Sequence, residues 1–262
     1  MEERKIKEIN YYDKHAEQIR KNMGEGKQEV DFEGFNPLIL SSFRFLYQLV
    51  QGKCSGKKLL DYGCGHGIHS FFPARHGAEV TGIDLSEESL IIARELAKRE
   101  DLDAKVKFLK MDCEALEFPD DSFDIIFDGG TFSSIDLAKA FPELVRVLQP
   151  DGQLVGIETF GHNPFTNLKR KINIRTGKRT EWAASHIFDL DDLKLAEQFF
   201  AKIEIYYFHI ISWMAFPFLN LPGGEILLRL LEKVDKILSL LPFLKKYAFK
   251  VVFVLSAPRK VK

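Results

Sequence analysis

The stretch LLDYGCGHGIH, Leu59 to His69, places three glycines at two-residue spacing just after an apolar run that contains an aspartate. Glycine lets a chain turn sharply and lets a ligand approach the backbone without a Cβ in the way. The apolar run predicts a strand, and the residues after the glycines predict a helix. In open α/β folds such a turn lies at the carboxyl edge of the sheet, where ligands bind. The stretch therefore predicts a ligand-binding turn, with a merely tight connection as the alternative.

Short apolar runs alternate with helical patterns on both sides of this turn. The runs that predict strands are KKLLDYG (57–63), AEVTGIDLS (78–86), AKVKFLKMD (104–112), FDIIFDGG (123–130) and GQLVGIETF (152–160). Helical spacing falls at 87–100 and 137–152. This rhythm is typical of a doubly wound parallel sheet with helices on both faces. Residues 201–211 and 250–256 predict two further strands, and the connection between them has helical apolar spacing at 225–241.

Composition narrows the classes of function. The 262 residues are 45% hydrophobic and carry a formal net charge of −1, which argues against a dedicated nucleic-acid binder. The three cysteines, Cys54, Cys64 and Cys113, are odd in number and widely spaced. The charged start MEERKIKEIN lacks the apolar core of a signal peptide. We therefore expect a reduced, cytoplasmic protein.

The spacing of the glycines separates two classes of ligand. A dinucleotide fingerprint is G-x-G-x-x-G, whereas Gly63, Gly65 and Gly67 form G-x-G-x-G with Asp61 two residues ahead. A carboxylate there would repel a diphosphate and attract an ammonium group. The second strand ends at Asp84, where a carboxylate can accept both hydroxyls of a ribose.

The third strand adds a position suited to a base. After it, Asp112 can accept from an exocyclic amine, and the amide of Cys113 can donate to a ring nitrogen. Ammonium, ribose and adenine follow one another in chain order. Together they indicate S-adenosylmethionine as the ligand.

Over roughly Leu59 to Phe160 the sequence resembles the class I S-adenosylmethionine-dependent methyltransferases. The motifs that carry the resemblance are LLDYGCGHG, GIDLS, MDCEALEFPDDSFDIIF and ELVRVLQPDG. It implies a Rossmann-like α/β fold, with a doubly wound, mostly parallel seven-stranded sheet, an antiparallel last strand and a helical insertion before that strand. It also implies transfer of a methyl group to a small acceptor.

The resemblance assigns cofactor contacts along the whole of this region. The residues it places at S-adenosylmethionine are Asp61, Gly63, Cys64, Gly65, Gly67, Asp84, Leu85, Asp112, Cys113 and Asp128. Near the start, YYDKHAEQI resembles the helix that covers the cofactor in many of these enzymes, which adds Tyr11. Packing of these aromatic rings against the domain is the alternative.

We expect one domain, 1–262. Within it we assign 1–50 to an N-terminal helical cap and 57–160 to the cofactor-binding core. Residues 161–200 would form a substrate-side loop and helix. The remainder, 201–262, would hold the last two strands with an apolar helical insertion at 212–247.

A proton acceptor is required only if the methyl acceptor must lose a proton during attack. His162 follows the fifth strand, in ETFGHNPF, and histidine is the side chain whose ordinary titration range suits this role near neutral pH. Its alternative role is to order the loop. After the fourth strand, where related bacterial enzymes often have histidines, this chain has Ser133 and Ser134. The tetrapeptide HNPF follows the fifth strand rather than the fourth, which weakens a role in nucleic-acid methylation.

Two further sequence features each allow more than one interpretation. Cys64, His66 and His69 lie within one turn, but a structural zinc site needs about four clustered ligands, so we expect no metal. The run at 168–179 contains six basic residues, which indicates either a solvated face or attraction of an anionic acceptor or membrane.

The apolar segment at 212–244 contains Pro217 and Pro222, which argues against a transmembrane helix. It predicts ordinary packing on the core, a lid over an apolar acceptor, or peripheral contact with a membrane.

The predicted function is methyl transfer to a small acceptor that is hydrophobic, lipid-linked or anionic. The alternatives are an RNA or protein methyltransferase, a non-catalytic membrane-peripheral protein that binds the cofactor, and a nicotinamide oxidoreductase. No nucleic-acid partner is expected.

Overall fold

The computed structural model describes residues 2–24, 37–175 and 180–260. Seven strands form one sheet in the order β3-β2-β1-β4-β5-β7-β6. The strands are β1 (Lys58–Tyr62), β2 (Glu79–Asp84), β3 (Val106–Lys110), β4 (Phe123–Asp128), β5 (Leu148–Thr159), β6 (Phe200–Phe208) and β7 (Lys250–Pro258). The first five are mutually parallel, and β7 runs antiparallel to both β5 and β6. The predicted fold class is confirmed.

Helices follow the strands in the predicted rhythm. They are α1 (Glu3–Gly24), α2 (Ser41–Gln51), α3 (Phe71–Arg75), α4 (Glu87–Arg99), α5 (Leu137–Val147), α6 (Pro164–Arg175), α7 (Glu181–Ser185), α8 (Leu190–Ala196), α9 (Gly224–Leu238) and α10 (Pro242–Lys245). Short 3-10 segments occupy Pro37–Ile39, Phe132–Ser134 and Ser212–Phe218. No helix in the described part of the chain is long and apolar enough to cross a membrane.

Alternation along the strands builds two apolar layers, because successive side chains point to opposite faces of a sheet. On β1, Leu59 faces the layer that holds α2, α3 and α4, while Leu60 faces the layer of α5 and α8. The insertion helix α9 joins the first layer through Leu228, which is fully buried. Both faces of the sheet are therefore covered, as a mainly parallel sheet requires.

One boundary differs from the sequence prediction. The helical pattern at 137–152 ends at Val147, and β5 begins at Leu148, which pairs with Phe123 of β4 before the register shifts. Because Leu148 pairs with a residue of β4, the chain from Leu148 onward belongs to the sheet and not to the helix. Most of the basic run 168–179 lies in α6 up to Arg175, while residues 176–179 fall outside the described residues.

Candidate active site

The glycine turn lies at the carboxyl edge of the parallel strands, as predicted. Gly63, Gly65 and Gly67 have φ of 69°, 52° and 81°, in the left-handed region that favours glycine. A Cβ added at Gly63 would lie 2.2 Å from the hydroxyl oxygen of Thr131, in the loop after β4. The backbone conformation therefore favours glycine at all three positions. At Gly63 the close approach of the loop after β4 also leaves no room for a side chain.

Asp61, near the end of β1 and just before this turn, is buried, with 1% of its surface exposed. The hydroxyl of Ser70 donates a hydrogen bond to its Oδ2. Burial raises the pKa of Asp61 to about 7, and the nearby Asp84 also raises it, against the lowering effect of the Ser70 hydroxyl. Such a carboxyl favours a positively charged neighbour that would keep it ionised.

Asp84 ends β2 and is oriented by the backbone around it. Its Oδ2 accepts from the amide of Gly65 at 2.9 Å, and its Oδ1 accepts from the amide of Ser86 at 2.8 Å. Burial raises the pKa of Asp84 despite these amides. Each carboxylate oxygen has a second lone pair, so Asp84 retains capacity to accept from a ligand. The Gly65 amide, which the resemblance assigned to the cofactor, is used to orient Asp84. Leu85 follows and is half-buried.

The residues after β3 are partly engaged by α1. Asp112 accepts from the amide of Glu114 at 2.9 Å, and its Oδ2 lies 2.6 Å from the ammonium nitrogen of Lys5. The same ammonium lies 2.8 Å from Glu114. Cys113 is buried, and its carbonyl accepts from the hydroxyl of Tyr62 at 2.5 Å. A base amine reaching Asp112 would therefore compete with Lys5.

The helix α1 lies across this edge of the sheet. Besides Lys5, it places Asp13 where the Ser86 hydroxyl donates to it at 2.6 Å, and the hydroxyl of Tyr12 lies 3.2 Å from the hydroxyl of Ser134. Tyr11 is half-buried and packs edge-on against Tyr12, with ring centroids 5.2 Å apart. These contacts span the ends of β2, β3 and β4.

Two carboxyls that the motif analysis did not pair lie near each other at the carboxyl ends of β4 and β5. Asp128 and Glu158 are 0% and 2% exposed. Burial raises the pKa of Asp128 well above its usual range, and Glu158 raises it further. The Oδ2 of Asp128 has no hydrogen-bond partner within the described residues. In the sequence, the feature that could have identified Glu158 is its charge within the otherwise uncharged run GQLVGIETF.

His69 is a second residue whose place the sequence did not reveal. Its Nδ1 lies 2.6 Å from the Tyr47 hydroxyl, and its ring stacks on Phe43 at 5.4 Å. A Cβ added at Gly129, directly after β4, would lie 2.9 Å from this ring. Burial lowers the pKa of His69 to about 3, so the imidazole is neutral at physiological pH.

The predicted proton acceptor His162 lies beyond β5. Its ring packs edge-on against Phe160, with centroids 5.2 Å apart. Its Nε2 is buried and has no hydrogen-bond partner within the described part of the chain. Cys64 is buried beside Gly82, and no metal-ligand cluster is found among the described residues.

The charges of the acidic residues at this edge can be compared with the charges of S-adenosylmethionine. Asp61 and Asp128 are buried and Asp84 is half-buried, and desolvation raises the pKa of all three. A ligand that carries an ammonium and a sulfonium supplies the missing positive charge, whereas a pyrophosphate adds negative charge to an acidic site. The donor set of the cleft therefore fits this cofactor.

A seven-stranded sheet of this order, with an acidic glycine turn after β1, defines a class I methyltransferase fold. Residues 60–156 match the family model described as "Methyltransferase domain". This match and the order of the strands support a class I S-adenosylmethionine-dependent methyltransferase, with S-adenosylmethionine as the cofactor.

Similar proteins share this core region. A demethylmenaquinone methyltransferase of Lactococcus lactis is 30% identical over 169 residues, which cover 58% of this chain and 66% of that protein. A sterol 24-C-methyltransferase of Gibberella zeae is 32% identical over 145 residues, which cover 53% of this chain and 31% of that protein. The chain thus spans less than two thirds of the length of either curated relative.

Among solved structures, a geranyl diphosphate C-methyltransferase from Streptomyces coelicolor A3(2) matches with a TM-score of 0.57 and 16% identity. The match covers 83% of this chain and 78% of that chain. At this identity the likeness concerns the fold.

Proposed function

We propose that the protein transfers a methyl group from S-adenosylmethionine to a small, hydrophobic or lipid-linked acceptor. The observation that carries this proposal is the group of buried carboxyls with raised pKa at one sheet edge, beside the glycine turn. When bound, S-adenosylmethionine supplies a methyl group that its sulfonium makes electrophilic. The protein then has to hold the acceptor in line with that methyl group and exclude water.

Each part of the cofactor has a proposed partner. Asp61 would hold the ammonium, Asp84 the ribose hydroxyls, and Asp112 with the Cys113 amide the adenine. Leu85 would pack on the adenine face. The Asp128 carboxyl, whose Oδ2 lacks a partner within the described residues, would lie toward the positive sulfonium. These roles are supported by the position of every residue at the carboxyl edge of β1 to β4.

Orientation supplies the larger part of the proposed catalysis, because aligning two reactants is worth roughly 7–11 kcal/mol in favourable cases. The helix α1 would exclude water through its contacts with Ser86, Asp112 and Ser134. Where the acceptor is a phenol or an alcohol, His162 would take its proton at the buried Nε2. An acceptor that attacks through a lone pair without losing a proton needs no such base.

The hydrophobic character of the acceptor is supported by two observations. The relatives' names specify demethylmenaquinone and a sterol, and the structural neighbour was solved with geranyl diphosphate. In this chain, the half-buried, neutral His69 lies beside Gly129 at the end of β4 and is stacked on the buried ring of Phe43. An apolar acceptor would lie against these rings.

The test uses S-adenosylmethionine labelled in its methyl group, with demethylmenaquinone, a sterol, geranyl diphosphate and a lipid extract of the source cells as acceptors. We expect label to enter the organic phase with at least one lipid acceptor and this transfer to be lost in Asp84→Ala. Label that enters RNA or protein instead, or no transfer to any acceptor despite cofactor binding, would contradict the proposal.

A further inference from the structure

The insertion helix α9 has its acidic residues on the inside and apolar residues on the outside. Glu232 and Asp235 face the domain and are 8% and 7% exposed. Ile226, Leu230 and Ile237 face away from it and are 68%, 54% and 67% exposed. A surface helix normally has the opposite arrangement, with its apolar stripe toward the core.

Specific contacts fix this orientation. Glu232 accepts from the amide of Ser41 at 2.8 Å and lies 3.1 Å from the guanidinium of Arg44. Asp235 accepts from the amides of Ile211 and Ser212 at 2.8 and 3.2 Å. Rotating the helix to bury its apolar stripe would break these bonds and leave the amides of Ser41, Ile211 and Ser212 without their acceptors, which costs free energy wherever water does not replace them.

The exposed apolar side chains on the outward side of α9 continue past the end of the helix. Positions 226, 230, 234 and 237 recur at intervals of three and four residues and so share one side of α9. The apolar surface continues after the helix through Leu240 and Phe243, which are 77% and 64% exposed. A contiguous apolar surface of this kind marks an interaction site.

Basic residues flank the stripe. Arg229, Lys233 and Lys236 lie on α9 and are exposed, and Lys246 follows α10 and is also exposed. Because the acids Glu232 and Asp235 are turned inward, Glu225 is the one exposed acid among the residues of α9. The outward face therefore combines apolar side chains with net positive charge.

We propose that this outward face, residues 226–246, docks the protein on an anionic lipid bilayer. A helix that lies in the membrane interface has this combination of an apolar face and flanking Lys and Arg. Anionic headgroups attract the basic residues while the apolar side chains enter the acyl boundary. A second copy of the chain fits less well, because a two-fold contact would set the same basic residues against each other.

The connection that carries the docking face begins and ends at the same edge of the sheet as the candidate active site. The connection that contains α9 leaves β6 at Phe208 and enters β7 at Lys250, and Lys250 pairs with Thr159 at the carboxyl end of β5. A bilayer on this face would therefore lie beside the acceptor side of the site. Only this last consequence, delivery of a lipid acceptor from the membrane, rests on the proposed function.

Vesicle sedimentation tests the docking without cofactor or acceptor. We expect the full chain to sediment with vesicles of phosphatidylcholine and phosphatidylglycerol and to remain largely in solution with phosphatidylcholine alone. In Ile226→Asn/Ile237→Asn, affinity for the mixed vesicles should fall by about tenfold or more. Lys233→Gln/Lys236→Gln should weaken binding about fivefold for each lysine, and added salt should reduce binding further.

Matched controls lie on other surfaces of the molecule. Leu190→Asn replaces an apolar residue that is 40% exposed at the start of α8, and Lys98→Gln replaces an exposed lysine in the last turn of α4. Both should bind vesicles like the unaltered chain. Equal binding by the α9 variants and the controls, no binding of the unaltered chain to anionic vesicles, or a dimer that the α9 substitutions dissociate would overturn the proposal.

Discussion

A single carboxyl determines much of the chemistry proposed for this protein. Asp61 lies near the end of β1, just before the glycine turn, and its burial raises its pKa to about 7. A pyrophosphate would be repelled by this group once it is ionised, and an ammonium would be attracted. The charge preference of the site therefore depends on the protonation state of Asp61.

The pH dependence of cofactor binding follows from this raised pKa. Below about 7 the carboxyl is protonated in the ligand-free fold, and binding an ammonium requires it to ionise. Affinity for S-adenosylhomocysteine should therefore rise with pH up to about 7 and then level off, as measured by calorimetry. The free energy of unfolding of the ligand-free protein should change with pH in the opposite direction. The stability contributed by protonated Asp61 is present below its ordinary pKa and is lost as pH rises through about 7.

The variant Asp61→Asn isolates this effect. It should bind S-adenosylhomocysteine more weakly at pH 8, and the rise in affinity between about pH 5 and 7 should disappear. The same rise in the variant would show that another group is responsible.

His162 gives a second prediction for a single residue. If its Nε2 takes the proton of the acceptor, His162→Gln should lower kcat by about a hundredfold or more and leave S-adenosylhomocysteine affinity unchanged. The control is His76→Gln, a histidine after α3 whose Nδ1 lies 2.8 Å from the carbonyl of Phe72. An unchanged kcat in the His162 variant would remove it from the reaction.

Among the elements, α1 both covers the candidate site and competes for part of it. Its Lys5 ammonium lies between Asp112 and Glu114, and Arg4 pairs with Glu114 at 2.6 Å. These ion pairs attach the helix to the end of β3, where the adenine is expected. Opening and closing of α1 would therefore be coupled to cofactor binding.

Substitution of Lys5 tests this coupling. Lys5→Ala frees Asp112, so S-adenosylhomocysteine should bind about fivefold more tightly, the scale of a part-buried ion pair. The control Lys7→Ala removes an exposed lysine of the same helix that pairs with Glu3, and affinity should not change. Weaker binding in the Lys5 variant, measured by calorimetry, would mean that Lys5 holds the cap over the bound cofactor instead.

At the scale of the whole molecule, local patterns predicted the seven strands and the order of the cofactor motifs, while the antiparallel end of the sheet was implied by the family resemblance. The strands and the motifs are readable because each depends on periodicity within one element or on a turn between neighbours. The end of the helix before β5 was less readable, because the pairing of Leu148 with Phe123 is a contact between distant residues.

The features that sequence did not reveal all involve such distant contacts. Lys5 meets Asp112, Tyr47 meets His69, and burial brings Asp128 near Glu158. For α9, periodicity indicated a helix with an apolar side but left open which side faces the domain. That orientation depends on Ser41 and Arg44, far away in the chain. The roles assigned to individual site residues, and the boundaries within the domain, remain predictions.

The central claim is that the acidic glycine turn selects a positively charged methyl donor over a dinucleotide. Calorimetric titration of the full chain with S-adenosylhomocysteine and with NAD tests this claim most directly. We predict saturable binding of S-adenosylhomocysteine, weakened in Asp84→Ala, and no measurable binding of NAD. Tighter binding of NAD, or S-adenosylhomocysteine affinity that survives the removal of both Asp61 and Asp84, would contradict it.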